Sequence, residues 1–98
     1  PAPVTRQCIG GWYGRNEPAR LAWRIAGEVV DPANWEGPSF AAIPHRDRIV
    51  PPEAALAATA RLRKIKLHMA PAGHVGMVAG MNAEKALWQP LCDWLRSL

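Results

Sequence analysis

Two segments constrain this chain more than any others. Ala42-Ile43-Pro44-His45-Arg46-Asp47-Arg48-Ile49-Val50-Pro51 and Met69-Ala70-Pro71-Ala72-Gly73-His74-Val75-Gly76 each read as an apolar strand that runs out into a polar loop. The first loop carries Asp47 and the second carries His74, 27 positions later. Between them, residues 52–63 have a helix signature. Pro52 suits the first turn, Glu53 favours the positive end of the helix, and Ala55, Ala58 and Leu62 trace one stripe that Leu56 widens. Strand, loop, helix, strand, loop in this order predicts parallel strands joined by a right-handed crossover, an α/β fold.

The flanking segments extend that pattern. Residues 39–44 form a nearly uniform apolar run, which predicts a strand buried on both faces. Residues 65–69 alternate and predict its neighbour. Residues 84–97 predict a final helix with Leu87, Leu91, Trp94, Leu95 and Leu98 on one face, kinked or restarted at Pro90. Residues 1–20 read as mixed helix and loop, with Ile9, Trp12 and Tyr13 spaced for one helical face and broken by Gly10, Gly11 and Gly14. Residues 21–31 read as a short hairpin turning at Gly27-Glu28. Two parallel strands do not make a stable sheet alone, so the pattern predicts further strands upstream of Pro1. The expectation is the C-terminal piece of a larger enzyme.

Composition narrows the class. A chain of 98 residues suits one domain at most. The net charge of +4 is spread along the chain, and its densest group, Arg61 to Lys66, has no aromatic interleaving. That group predicts a solvated helix end and no nucleic-acid partner. No apolar run approaches the roughly 20 residues of a membrane-spanning helix. Cys8 and Cys92 match no zinc or redox spacing and make no disulfide scaffold, which predicts a cytoplasmic setting.

The chemistry centres on Asp47 and His74. Both fall just past the carboxyl ends of strands, where open α/β sheets place their ligands. A histidine there can take a proton from a nucleophile and return it to a leaving group. Asp47 would accept a hydrogen bond from His74 Nδ1–H and fix the ring tautomer. Asp47 also suits an ion pair with Arg46 or Arg48, or a cap on the helix near Pro52. The chain has no Gly-x-Ser-x-Gly or Gly-x-Cys-x-Gly segment to supply a nucleophile. Cys8 lacks a preceding strand and the first glycine of such an elbow, so it is not expected to serve. Cys92 reads as a packing residue and His68 as a packed or edge residue. Nothing in the spacing demands a metal site from His45, Asp47 and His74, and no cofactor is expected.

The segments Val29-Val30-Asp31-Pro32, Pro38-Ser39-Phe40, Asp47-Arg48-Ile49-Val50-Pro51 and Gly73-His74-Val75-Gly76 together resemble the C-terminal part of polyhydroxyalkanoate synthases, which have the α/β-hydrolase fold. Gly27 to Asp31 is similar to the family's Gly-x-x-Val-Asp pattern, and Leu87-Trp88 to Asp93-Trp94-Leu95 to its terminal helix. The resemblance covers roughly residues 12–98, and Arg48 stands where the best-known synthases often have His. It implies an acyltransferase acting on (R)-3-hydroxyacyl-CoA, with Asp47 and His74 serving a Cys nucleophile that lies in the missing N-terminal part. Residues 1–30 would then end a lid or cap region, with Trp12, Tyr13 and Trp23 bordering an acyl channel or a partner subunit of a homodimer. Residues 31–98 would hold the last strand–helix–strand–helix of the core. Two other readings compete: a Ser esterase or lipase of the same fold, and a small binding module in which Asp47 and His74 are structural. As an enzyme fragment, the isolated chain is expected to be inactive.

Overall fold

A computed structural model describes every residue from Pro1 to Leu98. The chain divides into two compact units, Pro1–Asn34 and Trp35–Leu98, although its length suits a single domain. Helices and strands are mixed, as the α/β reading requires.

In the first unit, helix α1 (Ala2–Arg6) runs directly into a π-helical segment, Gln7–Gly14. Its wider winding is visible where Arg15 N–H donates to Gly10 O, five residues back. In such a helix, side chains three and four apart no longer stack. Ile9, Trp12 and Tyr13 therefore share no buried face: Tyr13 is 85% exposed and Ile9 is exposed, while Trp12 is half-buried. Trp12 instead meets Trp23 edge to face, with ring centroids 5.0 Å apart. Both indole N–H groups are buried without a hydrogen-bond partner.

Strands β1 (Arg24–Ile25) and β2 (Glu28–Val29) form the antiparallel hairpin. Its turn is Ala26-Gly27, one residue earlier than the sequence suggests. Both residues have positive φ, 51° and 87°, as a type I′ turn requires. Ala26 holds its Cβ in the left-handed region, where only Gly and Asn sit at low cost. Ala26→Asn is expected to stabilise the hairpin by about 0.5–1 kcal/mol, read as a raised thermal midpoint.

The second unit is built on strands β3 (Ser39–Pro44) and β4 (Ile65–Ala70), paired in parallel from Ser39↔Ile65 to Pro44↔Ala70. Helix α2 (Pro52–Thr59) makes the crossover and packs on β3. It stops short of residue 63. Thr59 Oγ1 donates to Leu56 O at 2.8 Å, a local bond that competes with continued helix. Its half-buried positions are Pro52, Ala55 and Thr59, with Leu62 beyond its end; Ala58 and Leu56 are exposed.

Burial is complete only at the carboxyl ends of the strands, at Ile43, Pro44 and Ala70. Residues 39–42 are half-buried, and Leu67 and Met69 on the opposite face from His68 are 45% and 42% exposed. The two-faced burial expected of β3 is thus not met, because the sheet has only two strands and an open face. The other face is covered. Phe40 stacks on His68 with centroids 6.0 Å apart and meets Trp94 of the last helix at 5.3 Å.

That last helix begins as a π turn, Glu84–Trp88, and continues as α4 (Gln89–Arg96). Pro90, which has no N–H to donate, lies in the first turn of the α-helical part, where the winding changes. His68 Nε2 lies 2.7 Å from Ala86 O and donates to it. Ala83, Ala86 and Leu87 are buried; Leu91 and Trp94 are half-buried. Leu95, Leu98 and Cys92 are exposed, so the expected apolar face is covered only along its first half.

A short helix, α3 (Gly76–Ala79), was not legible in the sequence. Trp88 Nε1–H donates to Val78 O and ties it to the last helix. It ends at Gly80, where a Cβ would lie 2.6 Å from Gly76 O, a backbone atom with little freedom to move. Gly80→Ala is expected to destabilise the unit by about 1–3 kcal/mol, seen as a lower midpoint in chemical denaturation.

Candidate active site

The parallel register brings the two loops together. Pro44 and Ala70 are the last paired residues, so Asp47 and His74 emerge three and four positions beyond neighbouring strand ends. The ladder continues briefly past the strands, with His45 N–H donating to Ala70 O at 2.8 Å and Arg46 N–H to Ala72 O at 3.0 Å. Beyond Gly73 the second chain turns straight into α3, as Met77 N–H donates to Gly73 O.

Asp47 uses its two oxygens differently. Oδ1 accepts the backbone N–H groups of Ile49 and Val50, at 2.8 and 3.0 Å, closing the turn before α2. It does not cap that helix, which starts after Pro51 without a side-chain cap. Nor does Asp47 pair with Arg46 or Arg48: Oδ2 lies 2.8 Å from His74 Nδ1. The Asp47 side chain is 3% exposed, whereas that of His74 is 44% exposed.

The electrostatics of Asp47 follow from these contacts. Burial opposes its ionisation, but the Val50 N–H, the His74 ring, the Ile49 N–H and the charge on His74 outweigh it and hold the carboxyl below its ordinary pKa. Asp47 is therefore a carboxylate at neutral pH and can only accept, so Nδ1 carries the proton. The neutral ring then has its lone pair on Nε2, which has no protein hydrogen-bond partner. Because the folded-state pKa is lowered, the pair stabilises the fold above the ordinary carboxylate range. That contribution is lost as pH falls through the lowered value.

The remaining candidates lie elsewhere. His45 is exposed, and His68 serves the last helix. Cys8 is half-buried in the π-helical segment of the first unit, and Cys92 is exposed rather than packed. No three His, Cys, Asp or Glu side chains gather where they could hold a metal ion. A cavity of about 360 Å³ opens beside Phe40, Lys66, His68 and Trp94 but includes neither Asp47 nor His74.

Arg46, which the sequence offered only as an ion-pair partner of Asp47, bonds the other loop instead. Its guanidinium donates to Pro71 O at 3.0 Å across 25 residues of chain. No helix is long and apolar enough to cross a membrane. Comparison with protein-family models, curated proteins and solved structures finds no match for this chain.

Proposed function

We propose that this chain supplies the Asp and His of a nucleophile–His–Asp triad in an acyltransferase of α/β-hydrolase fold, resembling the polyhydroxyalkanoate synthases. The observation that carries the reading is the Asp47–His74 hydrogen bond, at the carboxyl ends of adjacent parallel strands, with no protein hydrogen-bond partner on His74 Nε2. The open sheet face at Leu67 and Met69 supports it, since a larger sheet and its helices would cover these side chains.

In this reading a Cys on a strand–turn–helix elbow outside these 98 residues meets Nε2. His74 removes the thiol proton, the thiolate attacks the thioester of an (R)-3-hydroxyacyl-CoA, and CoA leaves as the thiol. His74 next takes the proton of an incoming hydroxyl, which attacks the enzyme-bound acyl group. Asp47 holds the ring and stabilises the imidazolium in both steps. The setting would be cytoplasmic, where the acyl-CoA substrate is found.

A second reading, a Ser hydrolase with the same pair, is favoured by one residue. Arg48 stands where the best-known synthases often have His. Incubating the complete protein with (R)-3-hydroxybutyryl-CoA separates the two. CoA release with polymer supports the synthase, and CoA release with free hydroxy acid supports the hydrolase. No thioester or ester turnover by the complete protein would sink both, and cooperative folding of the 98 residues alone would then favour a binding module.

A further inference from the structure

We propose that Arg46 is a positioning residue, which sets the distance between Asp47 and His74 by fastening one loop to the other. The proposal rests on the triad reading for its catalytic consequence, but not for its geometry.

The paired residues of β3 and β4 end at Pro44↔Ala70, and past that point only the His45 and Arg46 amides carry the ladder on. Arg46 meets three successive residues of the His74 loop. Its backbone N–H donates to Ala72 O at 3.0 Å, and its guanidinium donates to Pro71 O at 3.0 Å. Its carbonyl oxygen lies so close to Gly73 that an added Cβ there would touch it at 3.5 Å. Pro71, Ala72 and Gly73 lead directly to His74, and Arg46 directly precedes Asp47. One residue therefore holds both approaches to the pair.

The guanidinium is suited to this task. It is charged at any working pH, and it reaches from an exposed backbone position to a carbonyl on the far loop. It makes no ion pair with a carboxylate in this structure, so its bond to Pro71 O faces no competing acid. Without it the loops keep their backbone bonds, and the fold survives. What is lost is the restraint on the approach of His74 to Asp47. Catalysis that depends on such a pair is sensitive to displacements of about 1 Å, which can cost about 100-fold in rate.

The test uses the full-length protein with selectively labelled Asp and His. In Arg46→Ala the far-ultraviolet spectrum and thermal midpoint are expected to stay near wild type. The His74 Nδ1 proton resonance should broaden or vanish, and the Asp47 carboxyl should titrate closer to its ordinary pKa. Arg46→Lys, which can still donate to Pro71 O, should restore much of the signature. Arg63→Ala, at the other end of β4, should change nothing. An unaltered Nδ1 resonance and Asp47 titration in a folded Arg46→Ala protein would overturn the proposal.

A kinetic arm separates this from the triad reading. Arg46→Ala should lower kcat about 10- to 100-fold with KM nearly unchanged, and Arg46→Lys should recover part of it. If His74→Ala leaves turnover intact while Arg46→Ala still disrupts the resonance, the triad reading fails and the positioning role stands. If His74→Ala abolishes turnover while Arg46→Ala leaves both resonance and kcat unchanged, the positioning role fails alone.

Discussion

On the proposed triad, Asp47→Asn is expected to lower turnover by about three to four orders of magnitude while leaving the fold intact. The turn dictates why. Asp47 Oδ1 accepts from Ile49 and Val50, and an Asn carbonyl oxygen can keep both bonds. That places the amide nitrogen where Oδ2 was, facing His74 Nδ1. A donor now meets Nδ1, so the neutral ring must carry its proton on Nε2 instead. The lone pair that would receive the nucleophile's proton disappears, although no side chain has moved. His74→Ala removes the base altogether and should cost as much. The double variant should be little worse than either single one, since groups that act as a unit are lost together. Steady-state assay of CoA release, beside circular dichroism of each variant, checks this. Near-normal turnover in either folded variant would remove that residue from the triad.

The pair was legible for a simple reason. A uniform apolar run ending in proline marks Ser39–Pro44, and parallel pairing with Ile65–Ala70 then leaves residues 47 and 74 little choice but to lie together. Position past a strand end, more than the identity of either residue, carried that inference. The burial of the strands was not legible, because an apolar run does not reveal how many strands flank it, and a two-stranded sheet leaves Leu67 and Met69 exposed on one face.

Local winding was hidden as well. Gln7–Gly14 and Glu84–Trp88 are π-helical, and a search for α-helical spacing misplaces their faces. Helix α3 spans only Gly76–Ala79, too short for any apolar periodicity. The hairpin turn shifted by one residue because Gly27 fills its second central position, leaving an alanine at the first. Arg46 was visible only as a cation beside Asp47. Its reach to Pro71 O depends on the register of two loops, which no local pattern encodes.

His68 and Pro90 should prove energetically coupled although they lie 22 positions apart in the chain. Pro90 has no N–H, so α winding at this point cannot supply a donor to Ala86 O, and His68 Nε2 donates to that oxygen at 2.7 Å. Ala86 is 1% exposed, so water does not readily replace a missing donor. His68→Ala removes a donor from a buried carbonyl and is expected to cost about 1–3 kcal/mol. A Pro90→Ala background supplies an N–H that α winding would direct to Ala86 O, and there the same His68→Ala change should cost less by about 0.5–2 kcal/mol. The intrinsic gain in helix propensity from removing proline cancels in the double-mutant cycle, as does the lost packing of the imidazole on Phe40. Chemical denaturation of the four proteins gives the coupling directly. Strict additivity would mean that Ala86 O is satisfied some other way and that His68 matters only as a ring stacked on Phe40. A coupling of the expected sign would mean that the strand beneath the His74 loop and the helix that anchors α3 are held together by a bond that exists because of one proline.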